Sequence, residues 1–225
     1  MKRNFMLLVG SLLILGSLAG LFMVYVRPNQ MEAQAVEEIR EQVTEATEAA
    51  ATEAPESKAE AKEEETSLYP WLTTATTYFQ GQEVEWGVNL TDGQELGTSI
   101  GVISCPELDI EVPVVFGGTE DIFLEGQAGL HEELSTPDSL FVLGHHMKWG
   151  LFKNLCSAEK GQEVTLETIY GTYTYEITYS AYISEAEYEA DNYKVCQGAD
   201  LTLATCDYVE GVKGRRIVKC DLITE

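Results

Sequence analysis

Between residue 68 and the C-terminus the chain carries three histidines, His131, His145 and His146, and two arginines, Arg215 and Arg216, which are adjacent. Cys206 closes the run Asp200-Leu-Thr-Leu-Ala-Thr-Cys206. As a strand, this run turns Leu201 and Leu203 to one face and Thr202, Ala204 and Cys206 to the other, so the thiol points away from the leucine face. The same parity in the last strand sets Val218, Cys220 and Leu222 on the apolar face and Arg215, Ile217 and Lys219 opposite. Arg215 and Cys206 can then share a groove outside the core. Cysteine attacks as the thiolate, and a neighbouring imidazolium or guanidinium favours that form, which makes His and Arg the partners such chemistry needs. The competing reading of Cys206 is a small buried hydrophobe. A β-bulge near Gly214 would exchange the two arginines and give the place to Arg216. His145 follows Phe141-Val-Leu-Gly144 at a strand end, where a hydrogen-bonded loop histidine is the alternative.

The elements that must hold these residues are mostly strands. Ile100 to Cys105, Ile110 to Phe116, Ser139 to Leu143 and Glu163 to Thr168 are short runs of β-branched and apolar residues bounded by Gly, Pro, Asp and Asn. From Thr172 to Ile183 the odd positions are apolar, the period of a half-buried strand. Short helices are expected around Glu120 to Gly126, Trp149 to Ala158 and Glu185 to Asp191. An all-β domain with short helices follows, an antiparallel barrel or sandwich. Cys105 and Cys220 read as core, while Cys156 and Cys196 fall in a helix and a loop. Five cysteines is an odd number, and a disulfide among these four stays open. His131, His145 and His146 lack the spacing of a zinc site, and neither a metal nor a cofactor is expected.

The charge divides the 225 residues into three zones. Residues 1–27 carry three basic and no acidic groups, residues 28–67 three and twelve, and residues 68–225 eight and twenty-six. The formal charge of −24 excludes nucleic acid as a partner. Phe5 to Val26 is an uncharged run of 22 residues, roughly 33 Å as a helix, and is expected to be a transmembrane anchor rather than a cleaved signal. Lys2 and Arg3 place the amino terminus in the cytoplasm and everything after Pro28 outside. Residues 28–67 are mostly Glu, Ala and Thr with no aromatic residue, an acidic stalk with too little apolar surface to order itself, though Glu and Ala favour partial helicity, interrupted near Pro55. Residues 68–225 are long enough for one domain.

Leu143-Gly-His145, Leu201-Thr-Leu-Ala-Thr-Cys206 and Arg215-Arg-Ile-Val218 resemble, in order and spacing, the Gly-His element, the TLxTC motif and the following strand arginine of the sortases. Gly101-Val-Ile-Ser-Cys-Pro106, Ile110-Glu-Val-Pro113 with Gly117, and Phe152-Lys-Asn-Leu155 are similar to other segments of that family, so the resemblance runs from roughly Ile100 to the end. It implies a closed eight-stranded β-barrel and a membrane-anchored cysteine transpeptidase of the Gram-positive cell surface, single-pass with its catalytic domain extracellular. It further implies that Cys206 forms a thioester at the Thr of a C-terminal LPxTG-like sorting motif. His145 would move the protons, and Arg215 would hold substrate or oxyanion. The partners implied are surface proteins bearing that motif and an amine from a peptidoglycan precursor or a pilin. Gly144-His-His-Met-Lys148 looks like class B, whereas the stretch before it looks like classes A, C and D, so the class stays open.

Rival readings come from other classes. A papain-like endopeptidase places Cys before His, and an L,D-transpeptidase needs a His-Gly-Cys element that the chain lacks. A stalked β-domain for surface adhesion would make Cys206 a core residue.

Overall fold

The computed structural model describes residues 27–52, 67–79, 82–124, 126–147, 150–190, 195 and 197–223. The expected anchor, Phe5 to Val26, lies outside the described residues. Among the described residues no helix is long and apolar enough to cross a membrane.

The first element, helix α1 (Arg27–Thr52), forms because Glu and Ala favour helix. Its place is fixed by Val36, Ile39 and Val43, which fall on one face and pack against Val102. Arg40, beside them, bridges to Glu111 at 2.6 Å and Glu167 at 3.5 Å. A helix stopping short of Pro55 is within the partial helicity expected for residues 28–67; its seat on the domain is not. Three aliphatic side chains at i, i+3 and i+7 suffice to lay the helix on the domain, and average composition hides them.

A hairpin follows, β1 (Leu72–Phe79) with β2 (Gln82–Leu90). The approach to it buries Tyr69 and Trp71. The Tyr69 hydroxyl donates to the Asp200 carbonyl at 2.9 Å and meets the Tyr175 hydroxyl at 2.9 Å. Trp71 Nε1 donates to the Tyr173 hydroxyl at 3.0 Å and stacks on Tyr170.

The remaining strands are β3 (Ser99–Cys105), β4 (Ile110–Phe116), β5 (Ala128–Leu130), β6 (Leu140–Leu143), β7 (His146–Met147), β8 (Gly150–Leu151), β9 (Glu163–Thr168), β10 (Gly171–Ser184), β11 (Leu201–Val209) and β12 (Val212–Leu222). Eight of them close a barrel in the order β10-β12-β11-β6-β5-β4-β3-β9. The barrel was expected, with few short helices: α2 (Glu120–Leu124) and α3 (Glu185–Ala190). The helix expected around Trp149 to Ala158 is instead β8 followed by a single 3₁₀ turn, Leu155–Ser157.

The interior is filled by alternate residues of every strand, among them Val112, Val114, Leu140, Val142, Leu201, Leu203, Val218 and Cys220. A second apolar layer lies on the outer wall of β6, β11 and β12. It holds Phe141, Ala204 and Ile217, with Leu143, Ile183 and Tyr188 packed against them. Between Ile177 and Tyr179 the ladder with β12 shifts by one residue. Before this bulge Ile177 pairs with Cys220 and faces inward. After it Tyr179 pairs with Lys219 and Ile183 with Arg215, which face outward. The continuous alternation from Thr172 to Ile183 therefore serves two faces, and the bulge at Thr178 moves Ile183 to the Arg215 side.

Candidate active site

β11 and β12 run antiparallel in one unbroken register, from Leu201↔Cys220 to Val209↔Val212. No bulge near Gly214 displaces the phase of this ladder. Cys206 and Arg215 are direct cross-strand partners, so both side chains leave the same outer face. Arg215 Nη1 donates to Cys206 Sγ at 3.3 Å. Cys206 is half-buried and stands outside the core clusters.

β6 lies parallel to β11 on the other side, with Leu143 opposite Ala204. Carried two residues further, that register sets position 145 alongside position 206. The strand itself stops at Leu143, and two hydrogen bonds hold the turn that follows. Gly144 N–H donates to the Ala204 carbonyl at 3.1 Å, and Thr205 Oγ1 donates to the Gly144 carbonyl at 2.7 Å. Gly144 must be glycine, because a Cβ there would stand 2.6 Å from the Phe152 ring. The half-buried His145 ring meets Phe123 of α2 edge-on, with centroids 5.3 Å apart.

Arg216 takes the other face. Its Nε and Nη2 donate to Asp207 Oδ2 at 3.0 and 2.7 Å, and the side chains are 18% and 11% exposed. Cys156 adjoins this pair, and its thiol is pushed up to about 11 by burial and then by the Asp207 carboxylate. Cys156 Sγ lies 3.5 Å from His146 Nδ1. His131 belongs to another corner, with its ring beside Phe141 and its Nδ1 accepting from Glu133 N–H at 3.3 Å. Burial holds the His131 imidazole below its ordinary range. The three histidines thus have separate partners. Among the described residues no three His, Cys, Asp or Glu side chains are grouped to hold a metal. Cys105 and Cys220 are buried in the barrel interior, and burial pushes both thiols up. Cys105, Cys156, Cys206 and Cys220 are free thiols, and Cys196 lies outside the described residues.

Two contacts to Arg215 were not expected from the sequence. Glu185, the first residue of α3, bridges to its guanidinium, and the Tyr188 ring lies beneath it. A short helix was expected there, around Glu185 to Asp191, and the spacing Ser184-Glu-Ala-Glu187 of a capping box is a further signal of its start, but neither points to Arg215. A groove of about 330 Å³ opens on the same outer wall, lined by Thr178, Tyr179, Ile183, Val195, Ile217 and Lys219.

The site is thus an outward thiol beside a guanidinium on neighbouring strands of a closed eight-stranded barrel. Residues 103–223 match the sortase domain model. The chain is 32% identical over 130 residues to sortase A of Bacillus anthracis, a match covering 55% of this chain and 60% of that protein's length. A sortase D5 transpeptidase of Clostridium perfringens superposes with a TM-score of 0.53 at 17% identity, over 87% of this chain and 99% of that one. Sortase C1 of Streptococcus agalactiae gives 0.48 at 23% identity, over 57% and 69%. The chain belongs to the sortase family.

Proposed function

We propose that the protein is a cell-surface cysteine transpeptidase with Cys206, His145 and Arg215 as its catalytic residues. Cys206 Sγ attacks the carbonyl carbon at the Thr of an LPxTG-like sorting motif. The C–N bond breaks, the leaving amine takes a proton from His145, and a thioester remains. An amine of a peptidoglycan precursor or a pilin then attacks the thioester. It gives its proton to His145, and the thiolate leaves. Arg215 donates hydrogen bonds to the oxyanion of each tetrahedral intermediate. In this reading residues 5–26 anchor the chain in the membrane with residues 68–225 outside, and residues 28–67 space the domain from the bilayer.

The observation that carries the proposal is the 3.3 Å contact between Arg215 Nη1 and Cys206 Sγ on facing strands. The half-buried setting of Cys206 supports an enzyme over an adhesin in which that cysteine is core. The test is a library of sorting-motif peptides with an amine acceptor, read by intact-mass spectrometry and sequencing of the released product. An acyl adduct on Cys206, lost in Cys206→Ala and kept in Cys156→Ala and Cys220→Ala, is the expected result. An adduct on another cysteine, or none with any peptide, overturns it.

A further inference from the structure

Arg215 is a long side chain on an outer wall, and Cys206 alone cannot fix it there. Its Nη1 has three acceptors: Cys206 Sγ at 3.3 Å, Glu185 Oε2 at 3.3 Å and the Gly214 carbonyl at 3.4 Å. Nη2 meets Glu185 Oε1 at 3.2 Å, so the carboxylate grips both terminal nitrogens of the fork. The Tyr188 ring, one turn further along α3, lies with its centroid 5.3 Å from Arg215 Cζ. The short helix is itself pinned. Ser184 N–H and Oγ donate to Glu187 Oε2 at 2.9 and 2.7 Å, and Glu187 N–H donates back to Ser184 Oγ at 3.3 Å. It also begins where β10 pairs with β12, with Ile183 directly opposite Arg215. Glu185 Oε1 is shared with Lys213 Nζ at 3.4 Å.

We infer that Glu185, supported by Tyr188, is a positioning residue that holds the Arg215 guanidinium against Cys206. It touches neither thiol nor substrate and acts only through the arginine. The inference rests on the reading that Arg215 serves a reaction at Cys206.

A double-mutant cycle on the full chain tests it, with kcat and KM for a cleaved sorting-motif peptide and the melting temperature measured for each variant. Glu185→Ala is expected to lower kcat roughly ten- to hundredfold, the scale of a misplaced catalytic group, with KM changed by less than about threefold. Glu185→Gln keeps a carbonyl acceptor for the guanidinium and is expected to restore activity to within about threefold of wild type. Tyr188→Phe, which keeps the ring, is expected to match wild type, and Tyr188→Leu to lose about fivefold. In an Arg215→Ala background, Glu185→Ala is expected to cost less than about twofold, because its target is gone. An equal loss in both backgrounds, or a full-rate Glu185→Ala beside a crippled Arg215→Ala, overturns this inference and leaves the proposed function standing. A full-rate Arg215→Ala overturns the role given to Arg215 and this inference with it. If Glu185→Ala does not fold, Glu185→Gln against Glu185→Leu carries the same comparison, and equal rates in those two variants refute the clamp.

Discussion

Arg215 and Arg216 are neighbours in sequence and opposites in setting, and substituting each should damage a different property. Asp207 is 8% exposed in the intact protein, and Arg216→Ala takes away the guanidinium that pairs with its carboxylate, leaving the Tyr208 N–H at 2.7 Å and the neighbouring Cys156 thiol as weaker partners. Breaking a buried pair from one side costs about 3–5 kcal/mol. The 18% exposure of Arg216 lets water reach the gap, so about 3 kcal/mol is the better figure here. For a domain of this size each kcal/mol moves Tm by about 2–4 °C, which gives a fall of roughly 6–12 °C. Peptide turnover at 20 °C should stay within about tenfold of wild type, because Arg216 faces away from Cys206. Arg215→Ala should do the reverse, lowering kcat/KM by roughly 10² or more, as loss of one charged oxyanion donor does, with little change in Tm. Removing both partners, Asp207→Ala with Arg216→Ala, should recover at least half of the lost stability, since no buried charge is stranded. Thermal and urea melts give the stability arm, and peptide cleavage gives the other. An Arg216→Ala protein that melts within about 2 °C of wild type, or a double variant as unstable as the single one, would refute the reasoning.

Other outcomes follow from single contacts. A Cβ on Gly214 would stand 2.2 Å from the Ile183 carbonyl oxygen, so Gly214→Ala should force β10 off β12 beside Arg215. We expect it to lower stability by about 2 kcal/mol or more and turnover more than tenfold, read by urea melts and peptide cleavage. A chain beginning near Ser67 should still fold, since the barrel interior contains no residue of α1. It should melt lower than one beginning at Arg27, because Val36 and Ile39, 5% and 3% exposed, lose their seat on Val102. Each such side chain contributes at most about 1.5–3 kcal/mol, and equal melting temperatures would show that the helix adds nothing. Cys156, with its thiol pushed up to about 11, should resist iodoacetamide at pH 8 and gain reactivity as pH rises through 9 to 11; peptide mapping that finds it labelled at pH 8 like a free thiol counts against this.

Much of the barrel was visible in the sequence because its strands are short and their faces differ. Ile110 to Phe116 and Glu163 to Thr168 were bounded correctly from β-branched content and flanking turn residues. The alternation in Leu201–Cys206 and Arg215–Leu222 was enough to read which residues share a wall. Three features were not legible, each for its own reason. The strand Leu72–Phe79 is half threonine, and two large side chains that tie its hairpin to the core, Tyr69 and Trp71, precede it. In β10 tyrosine suits either face, so an alternation of Tyr and Ile gave no sign that Thr178 is bulged out. The grip of Glu185 on Arg215 joins residues 30 apart through the β10/β12 register, and no local pattern encodes it.

Helix α1 leans on β3 and β4, and in the ring of eight strands these stand diametrically across from β11 and β12. A pull applied at Arg27 is therefore delivered to the back of the barrel, while the thiol looks out from the front. Twenty-six helical residues make a rod of about 39 Å, seated on that wall by three aliphatic side chains and an arginine bridge. Seen from Arg27, Cys206 faces out of the opposite wall, at an offset set by the width of the barrel. The direction in which Cys206 faces then enters its effective concentration toward a partner on the same support, beside the length of chain between them.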